Sequence, residues 1–232
     1  MDHDLEILKV KNKHENENKK LFEKLHQNLL KPPFLLVVNG SVRSGKSTLL
    51  MNLIYNKHFY KDYFDKIVFV SPTVHNDETL EHLNEDEDII KIHDDLDKID
   101  TIVKTIVDEQ DKLGQDKKHV LLILDDMLGY IKPNSYISNL CTRYRHRKLS
   151  IIITSQNFRK IPNIIRENAS GYLIFKTTNK KEYKKYYEEF SGLFETFEEL
   201  YNISTDKPYN FLYLDLRHIK AYHNFTSLLY SK

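Results

Sequence analysis

The feature that most constrains this chain is a glycine-rich turn placed between an apolar run and an amphipathic helical pattern. The segment Gly40-Ser41-Val42-Arg43-Ser44-Gly45-Lys46-Ser47 fits the pattern G-x-x-x-x-G-K-[ST]. Residues 34–38 form the apolar run before it, and the helical stripe after it consists of Leu49, Leu50, Leu53 and Ile54. A strand, a turn of this kind and a helix, in this order, predict an α/β protein with a phosphate-binding loop.

The chemistry of phosphate binding explains the residue types in this loop. Its glycines let the backbone wrap an anion, so that successive N–H groups point inward at the positive end of the following helix. Lys46 is predicted to bring charge to the β- and γ-phosphates, and Ser47 to offer its hydroxyl to Mg²⁺. A Gly/Ser turn that binds nothing is the structural alternative. The residues predicted to hold a nucleoside triphosphate are Gly40, Ser41, Val42, Arg43, Ser44, Gly45, Lys46, Ser47 and Thr48.

Two carboxylates follow a second apolar run, Val120–Leu124. Asp125 is well placed at the end of this predicted strand to hold Mg²⁺ through water. Asp126 is predicted to orient and deprotonate an attacking water molecule. The structural alternative is an ordinary Asp-rich turn after a strand.

A polar amide, Gln156, follows the next predicted strand, Leu149–Ser155. An amide at the tip of a strand beside the acidic one can contact both the water molecule and the γ-phosphate. Gln156 is therefore predicted to sense the γ-phosphate and report hydrolysis to the rest of the subunit. A capping or turn residue is the alternative.

Arginine is scarce in this chain, since only 7 of the 35 basic residues are arginines, and three of these lie in residues 143–148. A helix is predicted over 136–147, starting at Asn134 or Ser135, with an apolar stripe of Ile137, Leu140, Cys141 and Tyr144. On that helix Arg143 and Arg147 would fall on one edge of the stripe and Arg145 on the other. One arginine is predicted to reach the γ-phosphate of a neighbouring subunit, because arginine binds phosphate bidentately. A solvated basic helix end is the alternative.

Short apolar runs alternate with helical patterns along the chain. Most runs lack the alternation of a half-exposed strand, so they predict a mainly parallel sheet that helices cover on both faces. The repeated order of strand and helix is typical of a doubly wound α/β fold. The predicted strands are 34–39, 67–71, 120–125, 149–155, 172–177 and 209–215. The predicted helices are 47–56, 97–113, 136–147, 161–167 and 182–190.

Composition sets the domain organisation and excludes several classes of protein. The 232 residues suit one domain over 32–232, preceded by a charged N-terminal arm over 1–31 with a weak helical stripe at Leu21, Phe22, Leu25 and Leu29. No apolar run is long enough to cross a bilayer, and the charged N-terminus is not a secretory signal. A single cysteine excludes an internal disulfide. We therefore expect a cytoplasmic protein, in a host cell or viral factory, or one that is associated with virions.

Taken in chain order, these motifs resemble the FtsK–HerA superfamily of DNA-pumping ATPases. The resemblance is closer to the genome-packaging ATPases of large double-stranded DNA viruses and virophages, of the poxvirus-like kind. Ser71-Pro72-Thr73 and Arg145-His146-Arg147 look like this viral branch, and Ile164-Ile165-Arg166-Glu167-Asn168 leads into a further strand as in the superfamily. The interval between Arg145 and Gln156 is also similar to that between the finger arginine and the sensor glutamine of the superfamily. The resemblance covers roughly residues 34–178.

The resemblance implies a fold, a ligand and partners. The fold would be a RecA-like P-loop core with the glutamine strand inserted between the phosphate-loop strand and the acidic strand. The active unit would be a homo-oligomeric ring with ATP and Mg²⁺ at each interface and double-stranded DNA in the pore, next to a capsid or portal protein. Arg145 is the first candidate for the finger and Arg147 the second. The superfamily usually has Asp-Glu where this chain has Asp125-Asp126, so the shorter Asp126 must lie closer to the water or act with a second carboxylate.

Three other functions of P-loop proteins are alternatives to a DNA-translocating motor. A GTPase-type switch would use Asp126-Met127-Leu128-Gly129 as D-x-x-G and residues 179–182 as N-K-x-D, but Glu182 is one methylene longer than the aspartate that grips guanine. A nucleotide or metabolite kinase would need a lid with several arginines, and only three arginines follow Gln156. A non-catalytic scaffold would be marked by damage to Lys46 or to the acidic strand, and both are intact.

Overall fold

A nine-stranded sheet organises the part of the chain that the computed structural model describes, residues 25–85 and 89–232. The strands are Leu35–Asn39 (β1), Lys66–Val70 (β2), Ile90–His93 (β3), Val120–Leu124 (β4), Leu149–Ser155 (β5), Gly171–Phe175 (β6), Phe211–Asp215 (β7), Lys220–His223 (β8) and Ser227–Ser231 (β9). Their order across the sheet is β3-β2-β4-β5-β1-β6-β7-β8-β9. The first six strands run parallel to one another, and β7 to β9 add an antiparallel edge. The prediction of a mainly parallel α/β sheet is confirmed.

Helices cover both faces of this sheet. The α-helices that the structure describes are Lys46–Tyr55 (α1), Ile99–Lys112 (α2), Tyr136–Leu140 (α3), Asn163–Asn168 (α4), Lys180–Phe190 (α5) and Phe197–Ser204 (α6). Alternate residues of β1 point to opposite faces, so Leu35 packs in one core with α2 to α6 and Leu36 packs in a second core with α1. No helix among the described residues is both long enough and apolar enough to cross a membrane.

The central strands are apolar throughout because both of their faces are covered. Every residue of β1, β4 and β5 is buried. β5 lies between β1 and β4, which confirms the strand order implied by the resemblance. The register pairs Asn39 of β1 with Ser155 of β5, and Leu124 of β4 with Ile153 of β5. The loops that follow these three strands therefore leave the sheet at the same edge.

The helix predicted over 136–147 is correct at its start and wrong in its second half. The Ser135 hydroxyl caps α3 by accepting a hydrogen bond from the Ser138 N–H at 3.3 Å, as predicted. The helix ends at Leu140, however, and residues Tyr144–Arg147 form a separate 3₁₀ turn. The buried Tyr144 hydroxyl lies 2.9 Å from the Ser170 hydroxyl, so the turn is anchored towards the sheet before the chain enters β5.

Several elements differ from their sequence predictions at the edges of the sheet. β3, β8, β9 and α6 were not predicted, because three of them are short strands with polar or half-exposed residues and α6 has only eight residues. The predicted strand over 209–215 begins at Phe211, so Tyr209 lies in the preceding loop. The remaining predicted strands agree with the structure within two residues at each end.

The end of the predicted N-terminal arm packs against the domain. Leu29 and Leu30 are buried, and the Leu30 carbonyl accepts a hydrogen bond from the Tyr60 hydroxyl at 2.8 Å. The described part of the arm, residues 25–31, contains no helix, so the helical stripe is not realised at Leu25 and Leu29. Leu21 and Phe22, with the rest of residues 1–24, lie outside the described residues.

Gly171 should be intolerant of any side chain, because β6 and β7 approach each other closely there. A Cβ atom at Gly171 would lie 2.7 Å from the Leu214 carbonyl oxygen and 3.1 Å from Leu30. Gly171→Ala is therefore expected to lower the free energy of unfolding by about 1–3 kcal/mol, measured by urea denaturation. The matched control is Gly192→Ala, since a Cβ there meets nothing within 4 Å and the change should stay within about 0.5 kcal/mol. Equal midpoints for the two variants would contradict this account of the β6–β7 contact.

Candidate active site

The phosphate loop connects β1 to α1 and has the shape that its sequence predicts. Gly45 adopts a left-handed backbone conformation with φ of 100°, and Arg43 adopts another with φ of 61°. A Cβ atom on Gly40 would lie 2.4 Å from the Ser44 hydroxyl and 2.9 Å from Phe175, so only glycine fits there. The backbone therefore closes tightly over the amino end of α1, where the N–H groups of a helix are available to an anion.

Lys46 points into the concave side of this loop. Its ammonium group donates hydrogen bonds to the carbonyl oxygens of Gly40 at 3.0 Å and Ser41 at 3.1 Å. Burial lowers the pKa of Lys46, and the nearby carboxylates of Asp126 and Asp125 oppose this shift. Among the described residues, the hydrogen-bond partners of this ammonium group are thus neutral carbonyl groups.

The donor groups of this loop fit the phosphates of a nucleotide. The Ser44 hydroxyl is buried and has no hydrogen-bond partner among the described residues. A phosphate oxygen would satisfy it, together with the ammonium group of Lys46 and the free backbone N–H groups of the loop. Ser41, Val42 and Arg43 are exposed around the opening of the loop, and Thr48 is exposed on α1. The residues predicted to hold the phosphates thus lie in this loop and at the start of α1.

Asp125 is a buried carboxylate directly after β4, facing the phosphate loop. The Thr154 hydroxyl donates to its Oδ1 at 2.6 Å, and the Ser71 hydroxyl donates to its Oδ2 at 3.0 Å. Burial raises the pKa of Asp125, while the two hydroxyls and Lys46 partly offset this effect. A divalent cation beside Asp125 would stabilise the charged carboxylate, so the site fits Mg²⁺ by its chemistry.

Asp126 is held in a strained backbone conformation next to the predicted sensor. Its φ of 51° is left-handed, and its N–H donates to the Thr154 hydroxyl at 2.9 Å. The Gln156 amide donates to Asp126 Oδ2 at 2.5 Å, so the two residues predicted to act on water and γ-phosphate are in direct contact. Conformations of this kind persist only where surrounding contacts impose them, and they cluster at functional sites.

Asp77 is a candidate site residue that sequence patterns did not reveal. The Ser47 hydroxyl, the predicted Mg²⁺ ligand, donates to Asp77 Oδ2 at 2.7 Å. The other oxygen of Asp77 accepts a hydrogen bond from the Thr79 N–H at 3.0 Å, which fixes the carboxylate. Asp77 lies 30 residues beyond Ser47 in an irregular segment, so no local pattern marks it.

Asn39 is a second residue of the site that was missed. It is the last residue of β1 and is buried, with its amide nitrogen donating to the Ser155 carbonyl at 3.0 Å. Its amide oxygen accepts a hydrogen bond from the Tyr186 hydroxyl of α5. Asn39 therefore ties the start of the phosphate loop to the end of the glutamine strand. A polar residue that ends an otherwise apolar strand is the signal that could have identified it.

The three clustered arginines lie far from the phosphate loop of their own chain. They precede β5, whereas Gln156 follows it, and the seven residues of β5 span roughly 20 Å. Arg147 donates to Asp111 at 3.1 Å, Arg145 donates to the Tyr144 hydroxyl at 3.2 Å, and Arg143 is exposed. Because the helix stops at Leu140, the predicted placement of the arginines on two edges of one helix is wrong.

The contacts of residues 179–182 contradict their interpretation as a guanine-binding motif. The carboxylate of Glu182 is buried and accepts hydrogen bonds from the Phe158 N–H at 2.8 Å and from Arg159 at 2.7 Å. Asn179 caps α5 through its own side chain. Both residues are occupied in holding α5 and the segment after Gln156, so neither is available to a base.

The order of the strands, with a phosphate loop after β1 and acidic residues after the strand two places away, defines a P-loop nucleoside triphosphatase of the RecA-like type. The chain belongs to the Poxvirus A32 protein family, whose model matches residues 20–186. It is 29% identical over 188 residues to the uncharacterized protein 075L of Invertebrate iridescent virus 6, with 78% of this chain and 69% of that protein covered.

Poxvirus proteins with a stated role are among the relatives. The chain is 26% identical over 164 residues to the DNA packaging protein OPG160 of Variola virus, with 65% of this chain covered. It spans just over half, 56%, of the length of that protein.

A solved structure shares the fold over most of the chain. The genome packaging NTPase B204 from Sulfolobus turreted icosahedral virus 2, in complex with AMP, superposes with a TM-score of 0.65 at 18% identity. The match covers 88% of this chain and 100% of that one. The same NTPase in complex with ATP-gammaS gives a TM-score of 0.62 at 20% identity, over 83% of this chain and 97% of that one.

The buried charge of Asp125 predicts a pH-dependent gain in stability for Asp125→Asn in the absence of metal and nucleotide. With a raised pKa, the folded chain binds this proton more tightly than the unfolded chain does. The free energy of unfolding therefore falls as the pH rises through the raised pKa. The neutral amide of the Asp125→Asn variant avoids this loss of stability. The Ser71 hydroxyl can accept a hydrogen bond from that amide while it donates one to the Thr73 hydroxyl.

Thermal unfolding in EDTA, measured from the ordinary pKa of an aspartate upward through neutral pH, tests this effect. Asp125→Asn should unfold at a higher temperature than the wild-type chain at the alkaline end, and the advantage should shrink as the pH is lowered through the raised pKa. A variant that is less stable by the same amount at every pH would contradict the expectation.

Proposed function

We propose that this protein is a Mg²⁺-dependent ATPase that acts as a homo-oligomeric motor, moving double-stranded DNA during packaging of a viral genome into its capsid. The observation that carries the proposal is the convergence of Lys46, Asp125, Asp126 and Gln156 at one edge of the sheet. Membership of the Poxvirus A32 protein family, with DNA packaging proteins among the relatives, supports DNA as the substrate that is moved. A capsid or portal protein and assembly in the host cytoplasm follow from the same role.

Each residue of the site has a role in this hydrolysis. Lys46 and the N–H groups of the loop bind the β- and γ-phosphates. Ser47, and Asp125 through water, would hold the metal. Asp77 accepts a hydrogen bond from the Ser47 hydroxyl, which would leave the oxygen lone pairs of Ser47 available to the metal. Bound Mg²⁺ supplies positive charge to the phosphate oxygens.

Asp126 and Gln156 act on the attacking water molecule. Because the Gln156 amide donates to Oδ2 of Asp126, the other oxygen, Oδ1, is left to accept the proton of the water. A γ-phosphate that attracts the Gln156 amide would release Oδ2 as well. This exchange of partners couples the presence of the γ-phosphate to the strand β5, which ends at Ser155.

An arginine from the neighbouring subunit completes the site. Arg143, Arg145 and Arg147 lie at the opposite end of β5 from their own phosphate loop, which is the placement that a finger acting between subunits requires. Arg145 remains the first candidate, since it is exposed and has no carboxylate partner among the described residues, whereas Arg147 is paired with Asp111.

Contact with DNA is proposed to be made through phosphates and without sequence preference. The net charge of +1 provides almost no global attraction, so local basic groups must supply it. Lys180 and Lys181 at the start of α5 are exposed and have no ion pair among the described residues, whereas Lys184 and Lys185 lie within 4 Å of Glu188. Lys180 and Lys181 are therefore the better candidates for contact with DNA phosphates.

The proposed activity predicts ATP hydrolysis that rises with protein concentration and is stimulated by double-stranded DNA. Phosphate release is measured with ATP and with GTP across a range of protein concentrations, with and without DNA. Lys46→Ala is the control and should abolish hydrolysis. Equal rates per subunit at all concentrations, no effect of DNA, or a preference for GTP would contradict the proposal.

Subunit mixing tests whether the arginine acts between subunits. Lys46→Ala and Arg145→Ala should each reduce hydrolysis on the order of 10³-fold or more. A mixture of the two should regain activity, because an intact loop in one subunit meets an intact Arg145 in the next. Replacing the first partner by the double variant Lys46→Ala/Arg145→Ala is the matched control and should restore nothing.

The same mixing with Arg147→Ala and Arg143→Ala identifies the arginine concerned. If none of the three mixtures regains activity although mixed oligomers form, a role between subunits for these three arginines is ruled out.

A further inference from the structure

Tyr209 is an aromatic side chain in an unusual position. It is 70% exposed, and its backbone is left-handed with φ of 67°, a conformation that bulky residues rarely adopt. The fold therefore presents a large, mostly exposed aromatic ring on a residue whose backbone conformation is one that favours glycine.

The ring of Tyr209 lies directly against the phosphate loop. Cδ1 of Tyr209 lies only 3.2 Å from the position that a Cβ atom on Gly45 would occupy, so the ring packs beside this glycine where α1 begins. The segment that carries it, between α6 and β7, is fixed by hydrogen bonds of Asn210 to Asp206 at 3.1 Å and to Asn224 at 3.2 Å. Hydrogen bonds within the loop thus fix the position of Tyr209.

A cavity of about 500 Å³ opens beside this ring and continues from the phosphate site. Gly45 and Thr48 of the loop and α1 form one side of it, and Tyr209 forms another. The rest of its lining is largely aromatic and apolar, from Leu49, Phe59, Phe175, Phe211 and Phe225. A second cavity of about 290 Å³ shares Phe175 and Tyr209 with the first, and its lining includes the charged residues Arg43, Lys176 and Lys207.

We propose, on the basis of the ATP site proposed above, that the larger cavity binds the nucleobase of the nucleotide and that Tyr209 provides the surface on which the base stacks. A base is flat and apolar on both faces, so it favours the aromatic cavity over the charged one. Both cavities adjoin the phosphate loop and Tyr209, but only the larger one includes Gly45 and Thr48 and has a mostly aromatic and apolar lining.

Recognition in this cavity rests on stacking more than on hydrogen bonds to the base edge. The amide of Asn224 already donates to Asn210 and accepts from the Phe211 N–H at 3.1 Å. The amide of Asn52 donates to the Thr48 carbonyl at 2.9 Å and accepts from Asn56. These amides are engaged inside the protein, and among the aromatic residues that line the cavity Tyr209 is the exposed one.

Calorimetric titration of the full chain with MgADP and with magnesium tripolyphosphate separates the base from the phosphates. Tyr209→Ala should weaken ADP binding on the order of 5- to 100-fold and leave tripolyphosphate binding unchanged, while Tyr209→Phe keeps the affinity for both. Tyr187→Ala is the matched control, because Tyr187 is also exposed, at 47%, but lines neither cavity. Lys46→Ala should weaken both ligands.

The outcomes distinguish this inference from the proposed function. If Tyr209→Ala binds ADP as tightly as the wild type does, or loses tripolyphosphate to the same extent as ADP, the stacking role is overturned while the phosphate site stands. Failure of the wild-type chain to bind either ligand would overturn the proposed ATPase and the stacking role together. Circular dichroism of the Tyr209 variants should match that of the wild type, since the side chain makes no core contact.

Discussion

The hydrogen bonds that pair β5 with β1 on one side and β4 on the other are the constraint on which the whole site depends. They align Asn39 with Ser155 and Leu124 with Ile153, so the phosphate loop, the two aspartates and Gln156 all leave the sheet at one edge. None of these groups is near another in the sequence. They come together because the parallel strands are held in this register. A slip of one residue would move every side chain of β5 to the opposite face of the sheet.

Polar groups at this edge are buried, and the surrounding chain compensates for each of them. Asp125 receives two hydroxyl groups, Asn39 bonds to a backbone carbonyl and to Tyr186, and Lys46 is wrapped by loop carbonyls. Burial still shifts the pKa of Asp125 up and that of Lys46 down. Burial of these polar groups thus costs more free energy than burial of the apolar strands that support them. Such a cost is expected where function rather than stability selects the residues.

Sequence patterns predicted the parts of the site that are local. The phosphate loop and the acidic end of β4 could be found because each is a short motif attached to an apolar strand. Asp77 could not, because its contact with Ser47 depends on the path of an irregular segment. The prediction that the arginines lie on two edges of one helix was wrong. Residues Tyr144–Arg147 form a 3₁₀ turn, in which the buried Tyr144 hydroxyl contacts Ser170. Tyr209 was assigned to a strand because the two residues before Phe211 give no hint of a left-handed backbone.

β5 has a mechanical consequence that goes beyond the placement of residues. A strand that is hydrogen-bonded on both sides, with every residue buried, can be neither stretched nor bent without breaking its neighbours' bonds. A displacement of Gln156 along the strand would therefore be transmitted to residues 144–147 rather than absorbed within β5. If those two ends face different nucleotides in the proposed oligomer, this strand would couple the state of one site to that of the next without a hinge.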